Sequence, residues 1–206
     1  MKPISVIAFD CDGVLFDTVQ ANKSYYNAIL NHLNMPELSP DQFNFVFMHT
    51  VQESLEFLFG KNEKLEKATA FKKAMPYESF ILEMEMEPHL MPLLKKLRPR
   101  FKTAIATNRT DSMPKVIEAF NLKNHFDIVV CASDVEHPKP QPDVLLKIIE
   151  HFAIDPKQAL YVGDSALDEA AAKAAAVPFV AYGNPSLKAD YYIAGLKELE
   201  DILGIE

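Results

Sequence analysis

Hydrophobic residues along this chain cluster in short, almost uninterrupted runs that are separated by longer segments of mixed character. Five of these runs predict buried strands, because a strand in a parallel sheet is covered on both faces and carries apolar side chains on both. They span residues 4–9, 102–107, 126–131, 159–163 and 178–182. Between the later runs, apolar residues recur at helical spacing in residues 114–120, 144–152 and 165–176. Strands and helices therefore alternate, and the pattern predicts an α/β fold with a doubly wound parallel sheet.

Residues 16–87 break this alternation. They contain no clear strand and are rich in Phe, Met, Glu and Lys. Apolar residues at helical spacing predict helices at residues 19–33, 40–47, 51–59, 63–75 and 77–85. Because this all-helical segment is inserted after the first strand, it indicates a second, smaller domain. We therefore expect an α/β core domain of residues 1–15 and 88–206 and a helical domain of residues 16–87.

The charge balance narrows the possible partners. The chain carries 21 basic and 29 acidic residues, a net charge of −8, whereas nucleic acids and anionic membrane surfaces attract clustered positive charge. We therefore expect no nucleic-acid partner and no membrane partner. The N-terminus lacks the pattern of a signal peptide, no apolar run approaches the roughly 20 residues of a membrane span, and the two cysteines imply no disulfide framework. These features favour a cytoplasmic protein, and we expect a monomer or weak dimer.

Polar residues follow the first two predicted strands. Asp10 and Asp12 end the first strand, and carboxylates two residues apart on an extended backbone project to the same side. They could share a magnesium ion, or one could attack a substrate while the other moves protons. A solvated acidic turn, with Gly13 as the breaker, is the structural alternative. Thr107 and Asn108 end the second strand and suit phosphate oxygens, although the same residues are typical of a helix-capping turn.

Two further polar groups follow the later strands. Lys139 lies among three prolines in residues 137–143, and a lysine held beside carboxylates reduces their repulsion and neutralises a phosphate, although most lysines are exposed. Asp164 ends the fourth strand and suits a metal, and Asp168 lies one helical turn later. Ser165 and Asp168 also fit a capping box, which would give Asp168 a structural role. Because ligands bind beyond the carboxyl ends of strands in an open parallel sheet, all four groups predict one site.

These motifs resemble those of the haloacid dehalogenase (HAD) superfamily, especially its phosphoglycolate-phosphatase-like branch. The resemblance is carried by FDCDGVLFDT at 9–18, TN at 107–108, KPQPD at 139–143 and GDSALD at 163–168. It covers the whole chain and implies a Rossmann-like HAD core with the helical domain as a cap. It also implies a magnesium-dependent phosphatase that hydrolyses a small phosphorylated metabolite through an aspartyl-phosphate intermediate.

The resemblance also implies the roles of the acidic residues. Asp10 would be the nucleophile that attacks phosphorus. Asp12 would protonate the leaving alcohol and then deprotonate the attacking water. Magnesium would bind the carboxylates of Asp10 and Asp164 and the backbone carbonyl of Asp12.

Further roles implied by the resemblance concern the phosphoryl group. Thr107, Asn108 and Lys139 would hold it, so that Lys139 is both a catalytic and a substrate-binding residue. Asp168 would support the site by orienting Lys139 or a metal-bound water. Independently of the resemblance, the position of Arg109 directly after the predicted phosphate-binding residues suggests a contact with an anionic group of the substrate.

Other activities fit the same motifs less well. Dehalogenases do not need the second acidic residue, Asp12, so its presence favours phosphate chemistry. Sugar-phosphate mutases carry a histidine early in the cap and a Lys/Arg pair in the substrate loop, whereas this chain has Asn22 and residues 47–52 without a basic pair. A non-catalytic regulatory or binding protein would be expected to lack a catalytic residue, and none is missing. Substrate choice is expected to depend on cap residues 48–53, and the physiological substrate stays open.

Overall fold

The computed structural model describes residues 3–98 and 100–205. Its strands are β1 (Val6–Phe9), β2 (Phe16–Asp17), β3 (Glu85–Met86), β4 (Lys102–Thr107), β5 (Ile128–Cys131), β6 (Ala159–Gly163), β7 (Phe179–Tyr182) and β8 (Tyr191–Ile193). Its helices are α1 (Val19–His32), α2 (Pro40–Met48), α3 (Val51–Phe59), α4 (Glu63–Ala74), α5 (Glu78–Ile81), α6 (Leu90–Leu97), α7 (Met113–Ala119), α8 (Asp143–Phe152), α9 (Ala166–Ala175) and α10 (Leu199–Leu203). Among the residues described, no helix combines the length and the apolar character that crossing a membrane requires.

Six parallel strands form the main sheet, in the order β5–β4–β1–β6–β7–β8. β1 pairs with β4 on one side and β6 on the other, so that Phe9 lies beside Ile105 and Val162. The carboxyl ends of these three strands therefore reach the same edge of the sheet. Helices flank the sheet, and the predicted α/β fold with a parallel sheet is confirmed.

Packing of α8 and α9 on the sheet forms a large part of the core. Ala8 and Ala104 of the strands lie in one buried cluster with Ile148 of α8 and Ala171 of α9. The small strand residues let the helices approach closely, and each buried large aliphatic side chain contributes about 1.5–3 kcal/mol relative to exposure. Tyr161 of β6 belongs to the same cluster and is fully buried. Its hydroxyl is thereby brought beneath the start of α9.

The chain divides into two compact units, one of Met1–Asp17 and Met86–Glu206 and the other of Thr18–Glu85. The second unit contains α1 to α5 and has its own apolar core, in which Tyr26, Ile29 and Leu55 are buried. An inserted helical segment is thus present, as the fold prediction states. The predicted domain limits, with residues 16–87 as a functional cap, stay a prediction.

Several short elements lie outside the predicted set. β2, β3 and β8 contain two or three residues each and give no recognisable hydrophobic run. α6 carries Pro92 in its first turn, where a missing N–H breaks no helical hydrogen bond. The predicted helix at residues 77–85 is wrong over its second half. α5 ends at Ile81, Leu82 is 87% exposed, and Glu85 begins β3.

Candidate active site

The carboxyl ends of β1, β4 and β6 carry most of the predicted site residues. The backbone N–H of Asp10 donates to the carbonyl of Val162 at 2.9 Å, so β1 is still in register with β6 where it ends. Thr107 is the last residue of β4, and Asp164 directly follows β6. The parallel register therefore brings side chains that are distant in sequence to one edge of the sheet.

Lys139 lies at the centre of this site, and its side chain is only 3% exposed. Its Nζ lies 2.8 Å from Asp10 Oδ1 and 2.7 Å from Asp168 Oδ1, and it donates to the Tyr161 hydroxyl at 3.0 Å. Burial alone would lower the pKa of Lys139, but the two carboxylates outweigh burial and raise this pKa. Lys139 is therefore a buried counterion of two aspartates, and the alternative of an exposed surface lysine is wrong.

Asn108 fixes the position of the loop that carries Lys139. The amide Nδ2 donates to the Lys139 carbonyl at 3.0 Å, and Oδ1 accepts from the Lys139 N–H at 2.9 Å. Thr107 Oγ1 accepts from the Arg109 N–H at 3.1 Å. Thr107 and Asn108 thus shape the site through their side chains. Their predicted contact with a phosphate stays a prediction, and for Asn108 it would involve the backbone N–H.

Asp168 is fully buried, and both of its carboxylate oxygens accept hydrogen bonds. Oδ1 accepts from Lys139 at 2.7 Å and from the Tyr161 hydroxyl at 2.6 Å. Oδ2 accepts from the Ser165 N–H at 3.0 Å and from the Ser165 hydroxyl at 2.6 Å, within the capping box that begins α9. Burial would raise the pKa of Asp168, but Lys139 and these hydrogen bonds lower it. Asp168 therefore takes part in the capping box of α9 and contacts Lys139 at the same time.

Gly163 allows Asp168 to come this close to β6. A Cβ at Gly163 would lie 2.5 Å from the Cβ of Asp168, which is shorter than any real contact. Glycine is therefore required where α9 starts beside the strand. Gly163 is the first residue of the GDSALD motif, and the contact that requires a glycine there arises only in the folded chain.

Asp10 and Asp164 form the part of the site that suits a cation. Burial, with the neighbouring carboxylates, raises the pKa of Asp10 to about 7 despite Lys139, and it raises the pKa of Asp164 to about 8. Among the residues described, Asp10, Asp164 and Asp168 can each place one oxygen within 4.8 Å of the others. The hydrogen bonds of Asp168 saturate its oxygens, so Asp10 and Asp164 are the better donors. Hard carboxylate oxygens that repel each other in a buried position fit a divalent cation such as Mg²⁺.

Gly13 closes the turn after Asp12 and lies against Asp164. Its φ is +80°, a conformation that favours glycine, and an added Cβ would lie 2.1 Å from Asp164 Oδ2. The interpretation of residues 10–14 as a solvated acidic turn is therefore wrong, because Asp10 is buried and the turn packs against another carboxylate.

Asp12 is held by Arg109. The arginine Nε lies 2.7 Å from Asp12 Oδ2, and Nη2 lies 2.6 Å from Oδ1, which is a two-pronged ion pair. The side chain of Arg109 is 7% exposed and that of Asp12 is 17% exposed. The sequence suggested Arg109 as a contact of a substrate anion, whereas the structure pairs it with Asp12.

Two contacts within the candidate site cannot be predicted from the sequence pattern. Tyr161 bonds both Lys139 and Asp168, but within the run ALYVG it is indistinguishable from a core aromatic residue. The only available signal is a hydroxyl placed three residues before Asp164. The bond between Arg109 and Asp12 joins residues 97 positions apart, and no local pattern encodes it.

Comparison with known proteins identifies the family. The family model for haloacid dehalogenase-like hydrolases matches residues 7–182, which includes every candidate site residue. The chain belongs to this hydrolase family. A phosphoglycolate phosphatase from Nitrosospira multiformis is 30% identical over 182 residues, covering 84% of this chain and 80% of the relative.

Solved structures of HAD proteins resemble this fold over nearly its whole length. A HAD-superfamily hydrolase of subfamily IA, variant 1, from Geobacter sulfurreducens is 39% identical, with a TM-score of 0.80 and coverage of 98% of this chain and 97% of that one. A β-phosphoglucomutase from Clostridium difficile has a TM-score of 0.82, is 18% identical and covers 98% and 97% of the two chains. At that identity, the second likeness shows the fold alone.

Membership of the HAD family confirms the predicted class of enzyme, a phosphoric monoester hydrolase of the phosphoglycolate-phosphatase-like branch. Phosphatases of this family are metal-dependent, and the acidic cluster of this HAD protein is consistent with that requirement.

Proposed function

We propose that this protein is a magnesium-dependent phosphatase that hydrolyses a small phosphorylated metabolite through an aspartyl-phosphate on Asp10. The observation that carries the proposal is the pairing of buried Asp10 with Lys139, 2.8 Å apart at the sheet edge where Asp164 also lies. The contact of Asp10 Oδ1 that the structure gives is this ion pair with Lys139. A lone pair on a buried, cation-flanked carboxylate oxygen suits attack on phosphorus.

The first step transfers the phosphoryl group to the enzyme. A carboxylate oxygen of Asp10 bonds phosphorus, the bond from phosphorus to the ester oxygen breaks, and the proton of Asp12 goes to the departing alcohol. Lys139 offsets the negative charge of the phosphoryl oxygens, and Thr107 and Asn108 hold these oxygens with hydrogen-bond donors.

The second step releases phosphate. Water bonds phosphorus, the bond from Asp10 to phosphorus breaks, and Asp12 takes the proton of the water. Asp168 keeps Lys139 in place throughout, because its oxygens are fixed by the first turn of α9 and by Tyr161. The chain thus supplies a nucleophile, a proton carrier and a cation at one sheet edge.

Magnesium would be held by Asp10 and Asp164, together with the backbone carbonyl of Asp12. When bound, it neutralises charge on the phosphoryl group and on the two carboxylates. The raised pKa values of Asp10 and Asp164 support this assignment, because burial and the neighbouring carboxylates disfavour the ionised forms that a cation would stabilise.

The decisive test is hydrolysis of p-nitrophenyl phosphate with Mg²⁺ and with a chelator, by the wild type and by Asp10→Asn. We expect Mg²⁺-dependent release by the wild type and none by the variant. Asp41→Asn, an exposed aspartate in the first turn of α2, serves as the matched control and should keep full activity. Turnover by folded Asp10→Asn would refute the nucleophile assignment.

Identification of the substrate requires activity measurements on a panel of phosphorylated metabolites. Phosphoglycolate comes first because curated relatives are phosphoglycolate phosphatases, and sugar phosphates, nucleoside monophosphates and pyrophosphate follow. We keep a cytoplasmic location, a monomer or weak dimer, and the absence of nucleic-acid and membrane partners as predictions.

Mutase activity is the second candidate, and the solved mutase with the same fold is the reason to test it. Asn22 stands where the mutases carry a histidine, and its amide donates to the carbonyl and hydroxyl of Thr18 at 3.0 and 3.1 Å. An amide in this position cannot exchange protons as an imidazole does. Phosphoryl transfer between two positions of a sugar phosphate, without net phosphate release, would favour the mutase over the phosphatase.

A further inference from the structure

Arg109 is held in place at several points along its length. Its N–H donates to Thr107 Oγ1 at 3.1 Å, and its carbonyl accepts from the Ala132 N–H at 3.0 Å. Its guanidinium bonds both oxygens of Asp12, and Nη1 donates to Ser112 Oγ at 3.3 Å. A long, charged side chain that is only 7% exposed carries a large cost in entropy and desolvation. The hydrogen bonds above hold the guanidinium of this side chain in one orientation against Asp12.

We propose that Arg109 is a positioning residue for Asp12, and that it orients this carboxylate to take the proton of the water that hydrolyses the phosphoenzyme. The inference rests on the function proposed above. It assigns Arg109 to the second step of the reaction and not to recognition of a substrate anion.

The geometry supports the second step in particular. Two N–H groups donate to the two oxygens of Asp12, which requires that both oxygens act as acceptors. Because each oxygen has a second lone pair, Asp12 can accept from a water while it stays bonded to Arg109. The rigid plane of the guanidinium then fixes the direction of that lone pair. In the first step Asp12 must instead carry a proton on one oxygen, and that oxygen is then a weaker acceptor for the arginine N–H.

The hydrolytic step needs no proton donor or acceptor other than Asp12. The water oxygen bonds phosphorus as the bond from Asp10 to phosphorus breaks, and the water proton passes to Asp12. Inorganic phosphate leaves and Asp10 regains its carboxylate. Arg109 exchanges no proton and touches no reacting atom, so its contribution is orientation of the base.

Rapid mixing with p-nitrophenyl phosphate separates the two steps, because nitrophenolate leaves without needing a proton from Asp12. We expect Arg109→Met to give a burst of nitrophenolate whose rate stays within about threefold of the wild type. Its steady-state rate should fall about 10- to 100-fold, part of the 10²- to 10⁴-fold that a general acid–base group supplies. Arg109→Lys should recover part of this loss, because lysine keeps the charge but not the two-pronged geometry.

Two controls make the role of Asp12 testable. In an Asp12→Asn background, Arg109→Met should cause no further loss, because the residue that Arg109 positions is already disabled. Arg98→Met replaces a partly exposed arginine that lies 3.7 Å from Asp127, and it should leave both phases unchanged. If Arg109→Met does not fold, Arg109→Lys alone carries the comparison of burst and steady state.

Equal slowing of the burst and the steady state would overturn the inference, as would a full additional loss in the Asp12→Asn background. Either result would give Arg109 a structural role or a role in substrate binding. No hydrolysis by the wild type would refute the proposed function itself, and the inference with it, so the two failures are distinguishable.

Discussion

Lys139→Met removes a buried cation while keeping most of the side-chain volume, so it isolates the electrostatic role of this lysine. The Nζ contacts Asp10 at 2.8 Å and Asp168 at 2.7 Å, and at an effective dielectric constant of about 20 each contact is worth about 6 kcal/mol before desolvation. Desolvation of the lysine and the aspartates offsets much of this. Breaking a buried ion pair by removing one partner has a net cost of about 3–5 kcal/mol, a large share of the about 5–15 kcal/mol that stabilises an ordinary domain.

The cost should depend on pH. Without Lys139, the carboxylates of Asp10 and Asp168 are buried with less positive charge. The pKa of Asp10 then rises further above its value in the unfolded chain, and the pKa of Asp168, which Lys139 lowers in the wild type, rises as well. The native variant then retains protons that the unfolded chain has already released above about pH 4. Each retained proton lowers the free energy of unfolding by about 1.4 kcal/mol per pH unit as the pH rises. The deficit relative to the wild type should therefore be larger at pH 8 than at pH 5.5.

Urea unfolding followed by circular dichroism, with chelator at both pH values, measures this deficit. Turnover with Mg²⁺ should fall about 10²- to 10³-fold, as expected for loss of one electrostatic group in an active site. Lys102→Met is the matched control, because Lys102 is 60% exposed and pairs with Asp127 away from the site. A deficit below about 1 kcal/mol at pH 8, together with turnover close to that of the wild type, would refute the assignment of Lys139 as the buried counterion.

Two further predictions concern the cation site. Gly13→Ala should lower Mg²⁺ affinity and activity, because the new Cβ would lie 2.1 Å from Asp164 Oδ2. Gly204→Ala is the control, because Gly204 has a φ of +60° and an added Cβ would have nothing within 4 Å. This control should keep full activity and lose only about 1–2 kcal/mol of stability. In the wild type with chelator, the raised pKa values of Asp10 and Asp164, about 7 and about 8, mean that the native state retains protons and loses stability as the pH rises from about 5 to 8. Mg²⁺ should therefore raise the melting temperature more at pH 8 than at pH 5.5, and equal shifts in a fluorescence melting experiment would contradict this reasoning.

The sheet could be predicted from the sequence because its central strands are buried on both faces. Runs such as residues 102–107 and 159–163 match β4 and β6 at both ends. β8 could not be predicted in this way, because it has only three residues and two of them, Tyr191 and Tyr192, are 46% and 52% exposed. Strand prediction thus succeeded where burial imposes a composition and failed for a short strand with exposed residues.

The sequence predicts which residues form the candidate site, but it does not predict which side chains bond to one another. Strand ends indicate where Asp10, Lys139 and Asp164 meet, because parallel register brings those ends together. The partner of each side chain depends on distances between loops, which the spacing of residues does not encode. Asn108 therefore bonds the backbone of Lys139, and Arg109 bonds Asp12, although both were expected to face a substrate.

These pairings sort the carboxylates of the site into two kinds. Asp168 is paired with Lys139 and accepts further hydrogen bonds from Tyr161 and Ser165, and Asp12 is paired with Arg109. Asp10 shares Lys139, and the pKa values of Asp10 and Asp164 remain raised. The two residues that would hold Mg²⁺ are therefore the carboxylates of the site whose ionised forms the protein itself stabilises least. If the protein neutralised Asp10 and Asp164 as fully as it does Asp12 and Asp168, the cation would gain little by binding, and the nucleophile would be masked.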